Sequence, residues 1–255
     1  MKIATWNVNS IRVRLTHLLD WIEHEGPDLV SVQETKVADE SFPKLNFTEL
    51  GYSALYSGQK SYNGVAIFFK NDIVVEELEP PIFPDNQKRF IAVNMSGVDF
   101  VNVYVPNGSS VGSTKYQYKL DWLQVLIDWL KQRLKKNNKI VLMGDFNIAP
   151  ADIDVHDVER WKDKILCSEG ERNIFEQFKK IGFCDVYRYL HPCDRNFTWW
   201  DYRLNGFARN WGLRIDHILT SSVMTPVVTK IGINKSLREL DRPSDHALVW
   251  ADLIT

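Results

Sequence analysis

Ile11, Leu15, Leu18, Leu19 and Ile22 recur at three- and four-residue intervals, the spacing of one helix face, and Gly26-Pro27 ends that pattern before the apolar run Leu29-Val30-Ser31-Val32. With the strand-like stretch that ends at Asn7, this predicts strand, helix, strand. Short runs of strand character follow at 52–56, 65–69, 73–78, 89–94 and 98–105, separated by Gly, Asn, Pro and Asp as in hairpins. Leu120, Leu123, Ile127, Leu130 and Leu134 mark a long amphipathic helix, and 139–143 a strand that runs into Gly144-Asp145. Helical and loop stretches continue from Pro150 to about Arg214, after which 215–220, 227–233 and 248–253 read as three further strands. Many short strands, few long helices and no low-complexity linker predict one α/β domain over 1–255, with two β-sheets packed face to face and helices outside.

At 44% hydrophobic and 25% charged residues, the chain can bury a large core without a disulfide or structural metal. Cys167, Cys184 and Cys193 are odd in number and form no C-x-x-C pair, so free thiols and a reducing compartment, the cytoplasm, are expected. No apolar run approaches the roughly 18 residues of a membrane span, and no membrane partner is expected. The net charge of -2 gives no overall basic footprint for nucleic acid, so cations would have to be concentrated locally. The stretch 195–214 has that character: Arg195, Arg203, Arg209 and Arg214 stand against Asp201 alone. The run Lys131, Arg133, Lys135, Lys136 and Lys139 reads instead as a solvated helix end that complements the macrodipole.

Polar residues gather at predicted strand ends: Asn7 after the first, Glu34 after the second, Asp145 and Asn147 after 139–143, and Asp216 beside a later one. Any one alone is a turn former or helix cap, but strand ends can converge at one rim, and together they read as a site. The cysteine and histidine clusters that hold zinc are absent from the sequence.

Thr5-Trp6-Asn7-Val8-Asn9, Val32-Gln33-Glu34-Thr35-Lys36, Gly144-Asp145-Phe146-Asn147 and Pro243-Ser244-Asp245-His246 occur in that order, with Phe197-Thr198-Trp199-Trp200-Asp201-Tyr202 and Gly212-Leu213-Arg214-Ile215-Asp216-His217 between the last two. This set resembles the exonuclease III family of AP endonucleases over essentially the whole chain. The resemblance implies a four-layered α/β sandwich of the DNase I-like kind, with two mostly antiparallel or mixed sheets flanked by helices. It implies a Mg²⁺-dependent phosphodiesterase, with Mn²⁺ able to substitute, that cuts duplex DNA 5′ to abasic sites. A 3′-to-5′ exonuclease and a 3′-end-cleaning action often accompany this, and a monomer is expected.

By the same resemblance Glu34 is the principal metal carboxylate, with Asn7 and Asp245 nearby, an all-oxygen set suited to Mg²⁺. Asp145 orients and deprotonates the attacking water and Asn147 hydrogen-bonds the phosphate. His246 donates to a phosphate oxygen, Asp216 fixes its tautomer, and the Tyr104 phenol approaches the phosphate or the leaving oxygen. Trp199, Trp200 and Leu213 match a pocket for an extruded baseless sugar, flanked by Arg203, Arg209 and Arg214; Lys115 and Arg89 match backbone contacts. Without the flanking arginines, the Trp-Trp pair would read as ordinary core. Two other readings use the same residues: a phospholipid or inositol phosphate phosphodiesterase of the wider superfamily, and an inactive DNA-binding homologue. The aromatic and arginine-rich stretch 197–216 favours DNA over lipid, and an inactive homologue would have lost one of Glu34, Asp145, Asn147, Asp216 or His246.

Overall fold

A computed structural model describes residues 1–254. β1 (Lys2–Asn7), β2 (Leu29–Gln33), β3 (Tyr52–Ser57) and β4 (Val65–Lys70) belong to one sheet, and β5 (Val75–Glu77), β6 (Phe90–Met95), β7 (Val98–Tyr104), β8 (Ile140–Asp145) and β9 (Phe183–Asp185) to a second. β10 (Trp199–Trp200) and β11 (Gly212–Leu213) form a short antiparallel ribbon. β12 (Asp216–Ser221) joins the second sheet, and β13 (Val228–Asn234) and β14 (Leu248–Leu253) return to the first. The orders are β13-β14-β1-β2-β4-β3 and β5-β6-β7-β8-β12-β9. Each sheet is mixed, with one parallel pair, β1 with β2 and β7 with β8.

The two-residue alternation of strands sorts side chains into three apolar layers. In β4, Val65, Ile67 and Phe69 pack between the sheets with Ile91, Val93, Val141 and Met143, whereas Ala66 and Phe68 turn outward. There they meet α1 (Ile11–Glu25) and α2 (Lys44–Glu49). In β8, Ile140 and Leu142 face the other way, onto α3 (Thr114–Lys136) and, beyond α4 (Val158–Trp161), α5 (Glu169–Lys180); α6 (Val186–Leu190) follows β9. The result is helix, sheet, sheet, helix, the four-layered α/β sandwich that the sequence implies. One polar bridge crosses between the sheets: Gln33 donates to Thr5 Oγ1 at 2.9 Å and to Asn102 Oδ1 at 2.6 Å, and Asn102 donates to Val32 O and Ala66 O.

The strand expected at 73–78 begins only at Val75, because Ile73 N closes a turn on Lys70 O and Val74 is exposed. β9 went unread because three residues at a sheet edge, paired only with β12, carry too little periodicity. In the basic run near the end of α3, Lys131, Lys135, Lys136 and Lys139 are exposed as a solvated face would be, but Arg133 is half-buried and pairs with the fully buried Asp99 of β7.

Arg214 differs from expectation. It does not face phosphate: it is 1% exposed, its guanidinium lying 2.7 Å from both Asp154 and Asp185. Residues on either side of an inward position look no different in sequence from those beside an outward one. Burial pushes the Asp185 carboxyl up, but Arg214 outweighs it and brings it from 3.8 to about 2. A depressed carboxyl stabilises the fold fully above its unfolded pKa, so this contribution is complete above pH ~4 and is lost as pH falls towards 2. Arg214→Met strands the buried Asp185 and leaves Asp154 with Arg188 as its remaining cation. It is expected to lower the unfolding free energy in a urea titration by about 3–5 kcal/mol and to remove that acid limb.

Candidate active site

Parallel pairing carries the C-terminal ends of β1 and β2, and of β7 and β8, to one rim, with Asn7, Glu34, Tyr104 and Asp145 at or just beyond them. Asp216 opens β12 directly opposite Asp145, and His246 precedes β14, which runs antiparallel to β1. A Cβ at Gly144 would lie 2.0 Å from Val103 O, so only glycine lets β8 approach β7 this closely just before Asp145. Glu34 and Lys36 have φ of 54° and 56°, a left-handed turn that non-glycine residues hold only under tertiary constraint. Here Ser10 N donates to Glu34 O, and Thr35 N to Gly64 O.

Asp145 is 1% exposed. Its carboxylate accepts from Asn147 N at 2.8 Å and Asn7 Nδ2 at 2.9 Å, and lies 3.9 Å from His246 Nε2. Burial pushes its carboxyl up to about 7 against the pull of His246, with the charge of Asp216 adding to the rise. His246 Nδ1 lies 2.9 Å from Asp216 Oδ2, so the proton-bearing nitrogen faces that carboxylate and Nε2 faces Asp145. Burial alone would lower the imidazole, but Asp216 and then Asp145 raise it to about 10. The histidine is therefore an imidazolium at neutral pH, wedged between two aspartates.

Ligand atoms of Glu34, Asp145 and His246 lie within 4.8 Å of one another, the one such cluster among the described residues. Two of the three are carboxylates, whose oxygens fit a hard divalent cation that keeps several waters. Glu34 Oε2 is 2.7 Å from Lys36 Nζ and Oε1 accepts from Asn7 Nδ2 at 2.8 Å; burial would raise its carboxyl, but Lys36 and Asn7 bring it below the usual range. Burial, then Glu34 and Asp145, push the Tyr104 phenol well up, so it stays protonated, while Arg89 lies over its ring at 4.5 Å. Asn7 presents its amide nitrogen to the carboxylates and its Oδ1 to Asn9 N. Both oxygens of Asp245 are engaged, Oδ1 by Asn9 at 2.8 Å and Oδ2 by Trp199 Nε1 at 2.9 Å. Asn7 and Asp245, expected near Glu34 at a metal, thus lie at the flanks of the cluster with these atoms hydrogen-bonded.

Beside this rim Trp199 opens onto a cavity of about 510 Å³, shared with Trp161, Trp211, His156, Arg160 and Arg203. The expectation that Trp200 and Leu213 wall it is corrected: both are 0% exposed. Trp200 packs edge-on against Phe207 in one small core, and Leu213 lies in another with Val155, Leu166 and Ile215. In the ribbon β10–β11 adjacent residues point to opposite faces, so only one of the two tryptophans can face the cavity. Arg203 is exposed but paired to Asp201 at 2.6 Å, Arg209 lies 4.6 Å over Trp211, and Lys115 is exposed in the first turn of α3. Arg195 donates to the carbonyls of Val155 and His156, a loop staple rather than a free cation.

Two site neighbours were missed although they lie inside quoted motifs: Lys36, on Glu34, and Asn9, which bonds both Lys36 and Asp245. Replacing Asp216 by Asn removes the charge that holds the imidazolium. The His246 pKa, followed by imidazole nitrogen NMR in metal-free protein, is expected to fall by more than about one unit.

The Endonuclease/Exonuclease/phosphatase family pattern matches residues 4–246. Exodeoxyribonuclease III of Haemophilus influenzae is 36% identical, over 99% of either chain. Among solved structures, a 3′ phosphatase, NExo, from Neisseria bound to a product DNA hairpin superposes with a TM-score of 0.96 at 41% identity, covering 100% of both chains. An AP endonuclease from Archaeoglobus fulgidus gives 0.91 at 35%, again over 100% of both. With its motifs, sandwich and rim all in agreement, the chain belongs to the endonuclease/exonuclease/phosphatase family, in the exonuclease III branch.

Proposed function

We propose that this chain is a Mg²⁺-dependent DNA-repair phosphodiesterase, with Mn²⁺ able to substitute, which cuts duplex DNA 5′ to abasic sites and also acts on 3′ ends. The observation that carries this reading is the buried Asp145, with its carboxyl near 7, beside an imidazolium and Glu34. A base is most effective when its pKa lies near the working pH, and an imidazolium is a charged donor aimed where phosphate oxygens gather charge.

In this mechanism Asp145 receives the proton of the attacking water. His246 Nε2 donates to a phosphate oxygen, held by Asp216 behind it. Asn147 Nδ2 donates to Val105 O at 3.0 Å and more weakly to Asp145 at 3.3 Å, so releasing the longer bond frees one hydrogen for the phosphate. The protonated Tyr104 phenol is a second donor, on the Glu34 side. Held by Glu34, the metal would neutralise a non-bridging oxygen and lower the pKa of bound water. The names of the relatives support DNA as the substrate, and the three free cysteines, Cys167, Cys184 and Cys193, suit a reducing compartment such as the cytoplasm.

A second reading gives 3′ ends the larger share of the activity. It is favoured by the burial of Leu213 with Val155, Leu166 and Ile215, which takes one expected wall of a sugar pocket out of reach. A duplex with one tetrahydrofuran abasic analogue and a duplex ending in a 3′-phosphate separate the two on a denaturing gel. The first reading expects a Mg²⁺-dependent nick 5′ to the analogue, leaving a 3′-hydroxyl; the second expects loss of the 3′-phosphate with the analogue strand largely uncut. EDTA should abolish either, and Asp145→Asn should slow either by about 10²–10⁴-fold. If both duplexes survive folded enzyme with Mg²⁺ and Mn²⁺, the DNA reading falls.

A further inference from the structure

Three consecutive backbone carbonyls follow the Asp145 strand end, and side chains rather than a neighbouring strand hold them. Asn147 O accepts from Lys119 Nζ at 2.6 Å, Ile148 O from His217 Nε2 at 2.9 Å, and Ala149 O from Arg172 Nε at 3.3 Å. The His217 tautomer is fixed by its other neighbour: Arg214 Nη1 can only donate, at 2.9 Å, so Nδ1 accepts and Nε2 carries the hydrogen.

Lys119 is the unusual member. It sits on α3 in the apolar stripe of Trp122, Leu123 and Leu126, is 0% exposed, and pairs with the equally buried Glu171 of α5. Burying an ammonium is costly unless every hydrogen is used, and here all three are: on Glu171, on Asn147 O and, at 3.2 Å, on Asn107 O. Those two carbonyls belong to residues whose side chains also meet, Asn107 Nδ2 donating to Asn147 Oδ1 at 3.2 Å. Asn147 has φ of 51°, a left-handed conformation that needs outside restraint, and that backbone sets the direction of its amide.

We propose that Lys119 is a positioning residue: from α3 it fixes the backbones of Asn107 and Asn147 and so aims the Asn147 amide at the phosphate, without touching substrate itself. The proposal rests on the phosphodiesterase reading above. Glu171 neutralises the ammonium and is itself tied down, accepting from Leu166 N, Ser168 N and Ser168 Oγ at the start of α5.

The test is a double-mutant cycle on whichever DNA substrate the wild type cleaves. Lys119→Met/Glu171→Gln removes both charges together and leaves acceptors for the α5 cap. Lys119→Met alone is the second variant, in which Glu171 keeps its three donors. In folded variants kcat should fall about 10–100-fold, the scale of a misplaced group, with KM within about twofold. In an Asn147→Ala background the same change should lower kcat less than about twofold, because the group being aimed is gone. The Asn147 side-chain amide NMR signal should shift in either variant even without metal or substrate. An unchanged signal, or an equal loss of kcat with and without Asn147, overturns the proposal. A wild type inert towards DNA, with the amide signal shifted as expected, instead overturns the functional reading.

Discussion

Crowding of carboxylates at one end of two sheets is the constraint around which this molecule is arranged. Asp145 and Asp216 are each 1% exposed and sit on either side of one histidine, with Glu34 and Asp245 close by. Such a group cannot stay ionised and buried without compensating charge and hydrogen bonds. The imidazolium of His246, the amide of Asn7 shared by Glu34 and Asp145, and the ammonium of Lys36 provide them. That Asp145 still rises to about 7 means the compensation is incomplete. The same uncompensated charge is what a divalent cation held at the cluster would neutralise.

The two parallel strand pairs, one per sheet, make the convergence possible. Each pair brings two strand ends to the same rim, and the antiparallel β12 and β14 bring two chain entries to meet them. The bridge from Gln33 to Asn102 ties the sheets together just beneath, so the distance between Glu34 and Asp145 does not depend on loop packing alone. Behind the rim, the carbonyls after Asp145 are held by side chains from α3, α5 and β12, those of Lys119 and His217 fully buried. The helices thus act on the site through the backbone that carries it.

Much of this was legible in the chain. Strands such as β4 and β8 announce themselves because alternate residues face two apolar layers, and α3 because its stripe repeats at helical spacing. The site residues were legible as ordered motifs, since rims built from strand ends leave polar residues directly after apolar runs. Direction of facing was not legible where that contrast vanishes. Trp199 and Trp200 are chemically identical neighbours with opposite faces, and Arg214 looks like its exposed counterparts until Asp154 and Asp185, 60 and 29 positions away, are brought to it. Lys119 was visible in principle: a lysine amid Trp122, Leu123 and Leu126 breaks its own stripe.

The arginines bear on how DNA would be held. Of the four in 195–214, Arg214 is internal, Arg195 staples a loop and Arg203 is offset by Asp201, which leaves Arg209 as the least committed. A chain of net charge -2 with so few uncommitted cations in this stretch cannot rely there on neutralising many phosphates. The cavity beside this stretch adds the aromatic faces of Trp161, Trp199 and Trp211, with Arg160 and Arg203 in the same lining. Because Trp199 also donates to Asp245, whatever rests against that indole presses on a residue one position from His246. That hydrogen bond links the cavity wall to the charge cluster.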